Sequence, residues 1–193
     1  MDRQRPYPQT QEASTIERAL RAAPSDSGAG ATRVVAIDGR SGASKSTLAA
    51  ALAARLDGAP VVSLEDLYGG WNGLEAGVEL VHRAVLEPLA EGRAASVPRY
   101  DWHGGKWAAS WTLEPPPLLI VEGVGVGALR LAQFTSVLVW IELDGAARRL
   151  RALEARGDRA IYEAHWEGWA RQEDEHYARE RPWERAGVLL RGE

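Results

Sequence analysis

The chain has 193 residues, with 23 Lys+Arg against 27 Asp+Glu and a formal net charge of −4. That length suggests one domain whose core is large enough to need no staples, and the mild acidity argues against a general nucleic-acid binder, which would carry a basic stripe. The absence of cysteine excludes disulfide frameworks, thiolate zinc sites, iron–sulfur clusters and thiol nucleophiles, and no apolar run approaches the ~20 residues of a membrane span.

The opening Met1-Asp2-Arg3-Gln4-Arg5-Pro6 is polar and lacks the apolar stretch of a secretory leader, so a cytoplasmic address is expected. Residues 1–14 read as a polar tail. Ile16, Ala19, Leu20 and Ala23 recur at helical spacing and predict a helix over 15–23, ended by Pro24. A Ser/Gly linker over 25–31 follows, so residues 1–32 are read as a tail and short helix ahead of a domain over 33–193. The continuous apolar run Val34-Val35-Ala36-Ile37 suits a fully buried strand. A Gly/Ser-rich turn over 39–45 leads into an Ala/Leu-rich helix over 46–56, stopped by Asp57-Gly58. A second strand is predicted over 60–64 and a long helix over 74–91, broken or kinked at Pro88. Residues 93–111 read as irregular and aromatic. Pro115-Pro116-Pro117 stiffens the entry to a strand over 118–121. Further strands are predicted over 137–141 and 188–190, and helices over 144–156 and 161–181. Strands alternating with helices argue for an α/β fold with a parallel, doubly covered sheet, in which ligands sit at the carboxyl ends of the strands.

The turn Gly39-Arg40-Ser41-Gly42-Ala43-Ser44-Lys45-Ser46 follows a strand and opens a helix. It fits the phosphate-loop template G-x-x-x-x-G-K-[ST] at Gly39, Lys45 and Ser46, with Ser44 where the template has glycine. Backbone amides of such a loop and of the helix N-terminus, here through Thr47, point at phosphate oxygens. Lys45 would reach the β- and γ-phosphates, and the Ser46 hydroxyl would ligate Mg²⁺. Only Lys45 and Lys106 are lysines in a chain otherwise committed to arginine, which suits a compact ammonium role for Lys45. If position 44 needs a positive φ, serine there costs about 1–2 kcal/mol. The run Leu118-Leu119-Ile120-Val121-Glu122 reads as a buried strand ending in a carboxylate, which suits the second protein arm of such a magnesium site.

Four segments taken in order now resemble a family. Ile37-Asp38-Gly39 through Thr47, then Val61-Val62-Ser63-Leu64-Glu65-Asp66-Leu67-Tyr68, then Pro98-Arg99-Tyr100-Asp101-Trp102-His103, then Ile120-Val121-Glu122-Gly123 look like the uridine kinase-like branch of the P-loop kinases. Residues 148–157 are similar to that branch's mobile lid, and 185–190 to its final strand. The resemblance implies a three-layer P-loop NTPase fold with a five-stranded parallel sheet and a small helical lid, here about 145–182. It also implies Mg-ATP and phosphoryl transfer to a hydroxyl of a nucleoside-like acceptor such as uridine. The family pattern Asp-x-Phe-Tyr lies over Glu65-Asp66-Leu67-Tyr68, which puts the general base at Glu65, with Asp66 the other candidate. Tyr68, Tyr100, Asp101 and His103 match acceptor-binding positions, and Arg148 and Arg151 match lid residues that close over the transferring phosphoryl group.

Alternatives stay open beside this reading. The acceptor could be another small metabolite or a nucleotide, or the chain could bind nucleotide with weak or lost turnover, as Ser44 and Glu65 depart from the family pattern. Trp71, Trp107 and Trp111 flank the acceptor segment and are either packing or stacking residues. The Arg148, Arg149, Arg151 and Arg156 cluster and the run Arg171-Gln172-Glu173-Asp174-Glu175 also read as solvated helix faces. His82, His165 and His176 show no zinc-ligand spacing. ATP, Mg²⁺ and a small-molecule acceptor are the expected partners, without nucleic acid or membrane, and the oligomeric state is open.

Overall fold

The computed structural model describes residues 9–24, 26, 28–154 and 159–192. Strand β1 (Arg33–Asp38) forms where four consecutive apolar residues leave no polar face, and helix α2 (Lys45–Arg55) follows the phosphate turn. Strand β2 (Val61–Ser63) comes next, then helix α3 (Leu74–Val81), one π-helical turn (His82–Leu86) and helix α4 (Glu87–Ala90). The kink or break expected at Pro88 takes the form of that π-helical turn, which interrupts the α-helix just ahead of the proline. A proline has no N–H to donate and its ring crowds the carbonyl four residues back. The widened turn just before Pro88 accommodates this, and the helical path continues.

Residues 93–111 were expected to be irregular; instead an antiparallel hairpin of β3 (Ala95–Asp101) and β4 (Lys106–Leu113) runs through them, with a bulge between Val97 and Arg99. Then come β5 (Leu118–Glu122), a 3₁₀ segment (Leu129–Phe134), β6 (Val137–Glu142), helices α5 (Gly145–Glu154) and α6 (Arg159–Glu180), and β7 (Val188–Arg191). The five-stranded sheet has the order β2-β5-β1-β6-β7, and all its pairings are parallel.

Alternation along β1 sorts the core into two halves. Val34 and Ala36 face a cluster built with α3, α4 and the C-terminal part of α6, whereas Val35 and Ile37 face α2. Helix α1 (Gln9–Ala22) lies on the α2 side, with Ala13, Ile16 and Leu20 buried in that same cluster. The result is helix, sheet, helix in three layers. Each fully buried leucine or isoleucine in these layers contributes roughly 1.5–3 kcal/mol by leaving water. No described helix is long and apolar enough to cross a membrane.

Candidate active site

The phosphate turn leaves β1 at the carboxyl edge of the sheet. At Gly39 (φ +151) an added Cβ would stand 2.6 Å from the carbonyl oxygen of Ile141, and at Gly42 (φ +82) 2.1 Å from that of Arg148. Both positions therefore require glycine, and the loop is pressed between β6 and α5. Ser44 adopts φ 68, ψ 28 and caps α2 without a side-chain hydrogen bond. This is the left-handed conformation that the template reserves for glycine, and serine there stores about 1–2 kcal/mol. Ser44→Gly should raise the unfolding free energy by about 1 kcal/mol, read from denaturant midpoints at unchanged slope.

The first helical bond of α2 runs from the Leu48 N–H to the Ser44 carbonyl at 3.1 Å. The amides of Ser44, Lys45, Ser46 and Thr47 thus stand at a helix start, where no intrahelical acceptor exists, and the helix dipole favours an anion there. The Lys45 ammonium, largely buried, donates to the Arg40 carbonyl at 3.2 Å across the mouth of the turn. Ala43 also donates to Arg40 O at 3.1 Å, which keeps the turn closed.

Beside this mouth lies Glu122, at the end of β5 as expected. Its Oε1 accepts from the hydroxyls of Ser46 at 3.1 Å and Ser63 at 2.6 Å. Burial pushes the Glu122 carboxyl up, while the Lys45 charge and the two hydroxyls pull it back down. Ser46 and Glu122 together offer hard oxygens of the kind Mg²⁺ takes, which keeps waters and substrate phosphates as its other ligands. Among the described residues no group of three or more His, Cys, Asp or Glu comes together, so the donor set fits that metal and not an all-protein cage.

The two candidate bases separate. Both lie on the 3₁₀ turn Leu64–Asp66 after β2. Glu65 lines a cavity of about 20 Å³ together with Lys45, Tyr68, Trp71, Trp102 and Trp169. Asp66 does not line it; burial pushes its carboxyl up, opposed by the charge of Arg99. Tyr68 is buried and donates its hydroxyl to Val124 O at 2.9 Å, leaving its ring to the cavity.

Tyr100, Asp101 and His103 stand at the end of the hairpin. The Asp101 carboxylate accepts the N–H groups of His103 and Gly104, each at 3.0 Å, closing the hairpin turn. The Gly104 bond, the larger cause, and the His103 bond hold that carboxyl below its usual range. His103 is exposed, and Tyr100 packs edge-on against Trp102 and Trp107. Of this segment it is Trp102 that borders the cavity, fixed by its N–H to Glu65 O at 2.9 Å. Trp107 leans over Gly69 and Trp111 is exposed; of the three flanking indoles only Trp71 borders the cavity.

Arg148 reaches the loop, donating to Ser41 O at 3.3 Å and to Leu143 O at 3.1 Å. Nη1 of Arg151 is buried without a hydrogen-bond partner, an unanswered donor of the kind that an anion satisfies. Arg149 is exposed, and Arg156 lies outside the described residues.

The segment 171–175 is not a uniformly solvated face. Glu173 is buried and accepts the Ser41 N–H at 2.8 Å and the Trp169 indole N–H at 3.0 Å, with Arg40 at 3.7 Å and Arg148 at 4.0 Å. Gln172 donates to Trp71 O at 2.8 Å. Asp38, the last residue of β1, is fully buried and accepts four bonds. They come from the amides of Gly39 (2.7 Å), Gly125 (3.0 Å) and Gly127 (2.8 Å) and from the Tyr177 hydroxyl (2.6 Å). Burial pushes its carboxyl up; the four donors work against that. Asp38, Glu173, Trp169 and Tyr177 were not picked out by sequence reasoning. A carboxylate closing an otherwise apolar strand was the signal for Asp38, whereas Glu173 sits among like charges and gave none.

The fold, with its strand order and its phosphate turn at the end of β1, is that of the P-loop kinases. The chain is similar in structure to a possible uridine kinase from Bacillus stearothermophilus, at a TM-score of 0.67 and 19% identity, over 94% of this chain and 98% of that one. It is also similar to a candidate fructose transport system kinase from Silicibacter sp. TM1040, at 0.57 and 20% identity over 92% and 97%. D-glycerate 3-kinase from Cryptococcus neoformans matches at 0.52 and 16% identity over 81% and 80%. No family model and no curated protein matches the sequence.

Proposed function

We propose that the protein is an ATP-dependent kinase that moves the γ-phosphate to a hydroxyl of a small acceptor. The observation that carries this reading is the meeting of Ser46 and Glu122 at the start of α2, beside the buried ammonium of Lys45. Amides of the turn and Lys45 bind the triphosphate; Ser46 and Glu122 would hold Mg²⁺, which neutralises phosphate charge when bound. Glu65 takes the acceptor's hydroxyl proton as its oxygen bonds to the γ-phosphorus and the bond to the β,γ-bridging oxygen breaks, releasing ADP. Arg148 and Arg151 steady the charge from a lid read over about 145–182, of which the buried His176 and Tyr177 belong to the body of the domain. Residues 33–193 form the kinase domain in this reading. A nucleoside such as uridine is the acceptor that the sequence resemblance and the Bacillus neighbour favour; the other two neighbours point to different metabolites on one scaffold.

A second reading, a nucleotide-binding protein with weak turnover, draws on Ser44 in its left-handed position. Calorimetry with ATP and Mg²⁺ beside a turnover assay separates the two. Binding accompanied by ADP release that depends on an acceptor supports the kinase; binding without product for any acceptor supports the second. Ser46→Ala should weaken Mg-ATP binding about tenfold, the loss of one charge-assisted ligand contact of about 1.5 kcal/mol, with little change for ATP in EDTA. Equal losses with and without the metal would remove Ser46 from the magnesium site.

A further inference from the structure

Amides of the phosphate turn are already committed to protein acceptors before any ligand arrives. Gly39 donates to Asp38 at 2.7 Å, Ala43 to the Arg40 carbonyl at 3.1 Å, and Ser41 to Oε1 of Glu173 at 2.8 Å. The first two bonds are local, made within the turn and its strand. The third comes from α6, 132 residues further along the chain. Glu173 is 2% exposed, and no step of the proposed transfer uses it.

Ser41 is held at each of its polar atoms. Its N–H goes to Glu173, its Oγ accepts the Trp169 indole N–H at 2.9 Å, and its carbonyl accepts from Arg148 at 3.3 Å. A buried carboxylate beside an anion site would repel the ligand if it stood alone. The second oxygen of Glu173 stands 3.7 Å from Arg40 and 4.0 Å from Arg148, and the two guanidiniums offset its charge. An empty cradle of amides is itself under tension, because its N–H dipoles converge and repel until an anion answers them. Helix α2 orders the amides of Lys45 onward, whereas residues 40–42 lie ahead of the helix and need a restraint from elsewhere. A turn that must be ordered on binding loses affinity to that entropy, and a turn ordered beforehand does not.

We propose that Glu173 is a positioning residue of the nucleotide site: from α6 it holds Ser41, and with it the part of the phosphate turn ahead of α2, in binding shape while the turn is empty. The inference rests on the kinase reading for the identity of the ligand and on the Ser41 contacts for the role. Glu173 acts through the Ser41 amide and touches neither nucleotide nor acceptor.

Calorimetry of Mg-ADP against the full chain, well below the unfolding transition, reads the affinity of the folded protein. Glu173→Ala should bind about tenfold more weakly than the parent, the loss of a preorganised turn. Glu173→Gln keeps an oxygen to accept the Ser41 N–H and should stay within about threefold. Glu175→Ala, exposed on the same helix, should match the parent. Glu173→Ala at parental affinity overturns the proposal even if its unfolding midpoint falls, since a merely structural contact moves stability and not the affinity of folded molecules. Glu173→Gln as weak as Glu173→Ala overturns it too, because charge and not the held amide would then matter. Should Glu173→Ala fail to fold, amide exchange in the nucleotide-free parent decides. The Ser41 N–H should exchange at least about tenfold more slowly than that of Thr47 at the open helix start; equal rates overturn the proposal. The two readings fail separately. A parent that binds Mg-ADP and phosphorylates no acceptor, with Glu173→Ala weaker as expected, removes the kinase and keeps the positioning role. An active kinase whose Glu173→Ala variant binds as the parent does keeps the kinase and removes the role. A parent that binds no Mg-ADP removes both.

Discussion

Glu65→Gln is expected to lower kcat by about 10²–10⁴, the usual worth of a positioned general base, while ATP affinity stays within about twofold. Glu65 and Asp66 are neighbours in sequence, yet the 3₁₀ turn after β2 sends them to different surroundings. Glu65 borders the cavity with Lys45, whereas Asp66 stands in the field of Arg99. Asp66→Asn should therefore cost less than about tenfold by the same yardstick. Glutamate reaches one methylene further than the aspartate of the family pattern. The backbone of residue 65 is held by two bonds, its N–H to Ser63 Oγ at 3.3 Å and its carbonyl to the Trp102 indole. Steady-state kinetics on both variants, with nucleotide affinity measured independently, decides the matter. A Glu65→Gln enzyme at parental rate would move the base elsewhere.

Asp38→Asn is expected to destabilise the fold by about 3 kcal/mol, since a buried donor left without its acceptor costs about 1–3 kcal/mol and more when the lost partner is charged. The carboxylate has two oxygens facing four donors. An amide must turn its NH₂ either on Gly127 or on the trio of Gly39, Gly125 and Tyr177, donor against donor. In a domain of this size the melting temperature should fall by about 6–12 °C. Tyr177→Phe removes one donor and leaves the carboxylate three, so its cost should stay near about 1 kcal/mol. Thermal and denaturant unfolding of the two variants provides the check; an Asp38→Asn protein within about 0.5 kcal/mol of the parent would show that the carboxyl is already protonated in the fold.

The sheet was legible because its strands are buried on both faces. Val34-Val35-Ala36-Ile37 and Leu118-Leu119-Ile120-Val121 have no other stable use in a chain with little other continuous apolar sequence. The phosphate turn was legible for the same local reason, since glycine spacing, lysine and helix start all fall within eight residues. The hairpin was not. Seven of the eight β4 residues are exposed, so no alternation marks the strand, and Pro98 argues against a strand on its partner. Pairing across the turn, and not pattern, makes those residues extended. Trp102 was quoted within the acceptor segment but given no site role, because a turn indole has no periodicity to betray which way it faces. Glu173 was hidden by Arg171, Asp174 and Glu175, which are exposed around it. Only the approach of α6 to the Ser41 amide makes it interior.

The C-terminal half of α6 is pinned three times. Tyr177 holds Asp38, the buried His176 donates from Nδ1 to Glu75 at 2.8 Å, and Arg179 pairs with the same Glu75. The half that carries Trp169 is tied to the phosphate turn, through Trp169 to Ser41 Oγ and Glu173 to the Ser41 amide, and to the Trp71 carbonyl through Gln172. In the proposed kinase, a triphosphate seated in the turn would meet both ties at Ser41, so nucleotide binding and the placing of Trp169 in the aromatic wall would be coupled through that one residue.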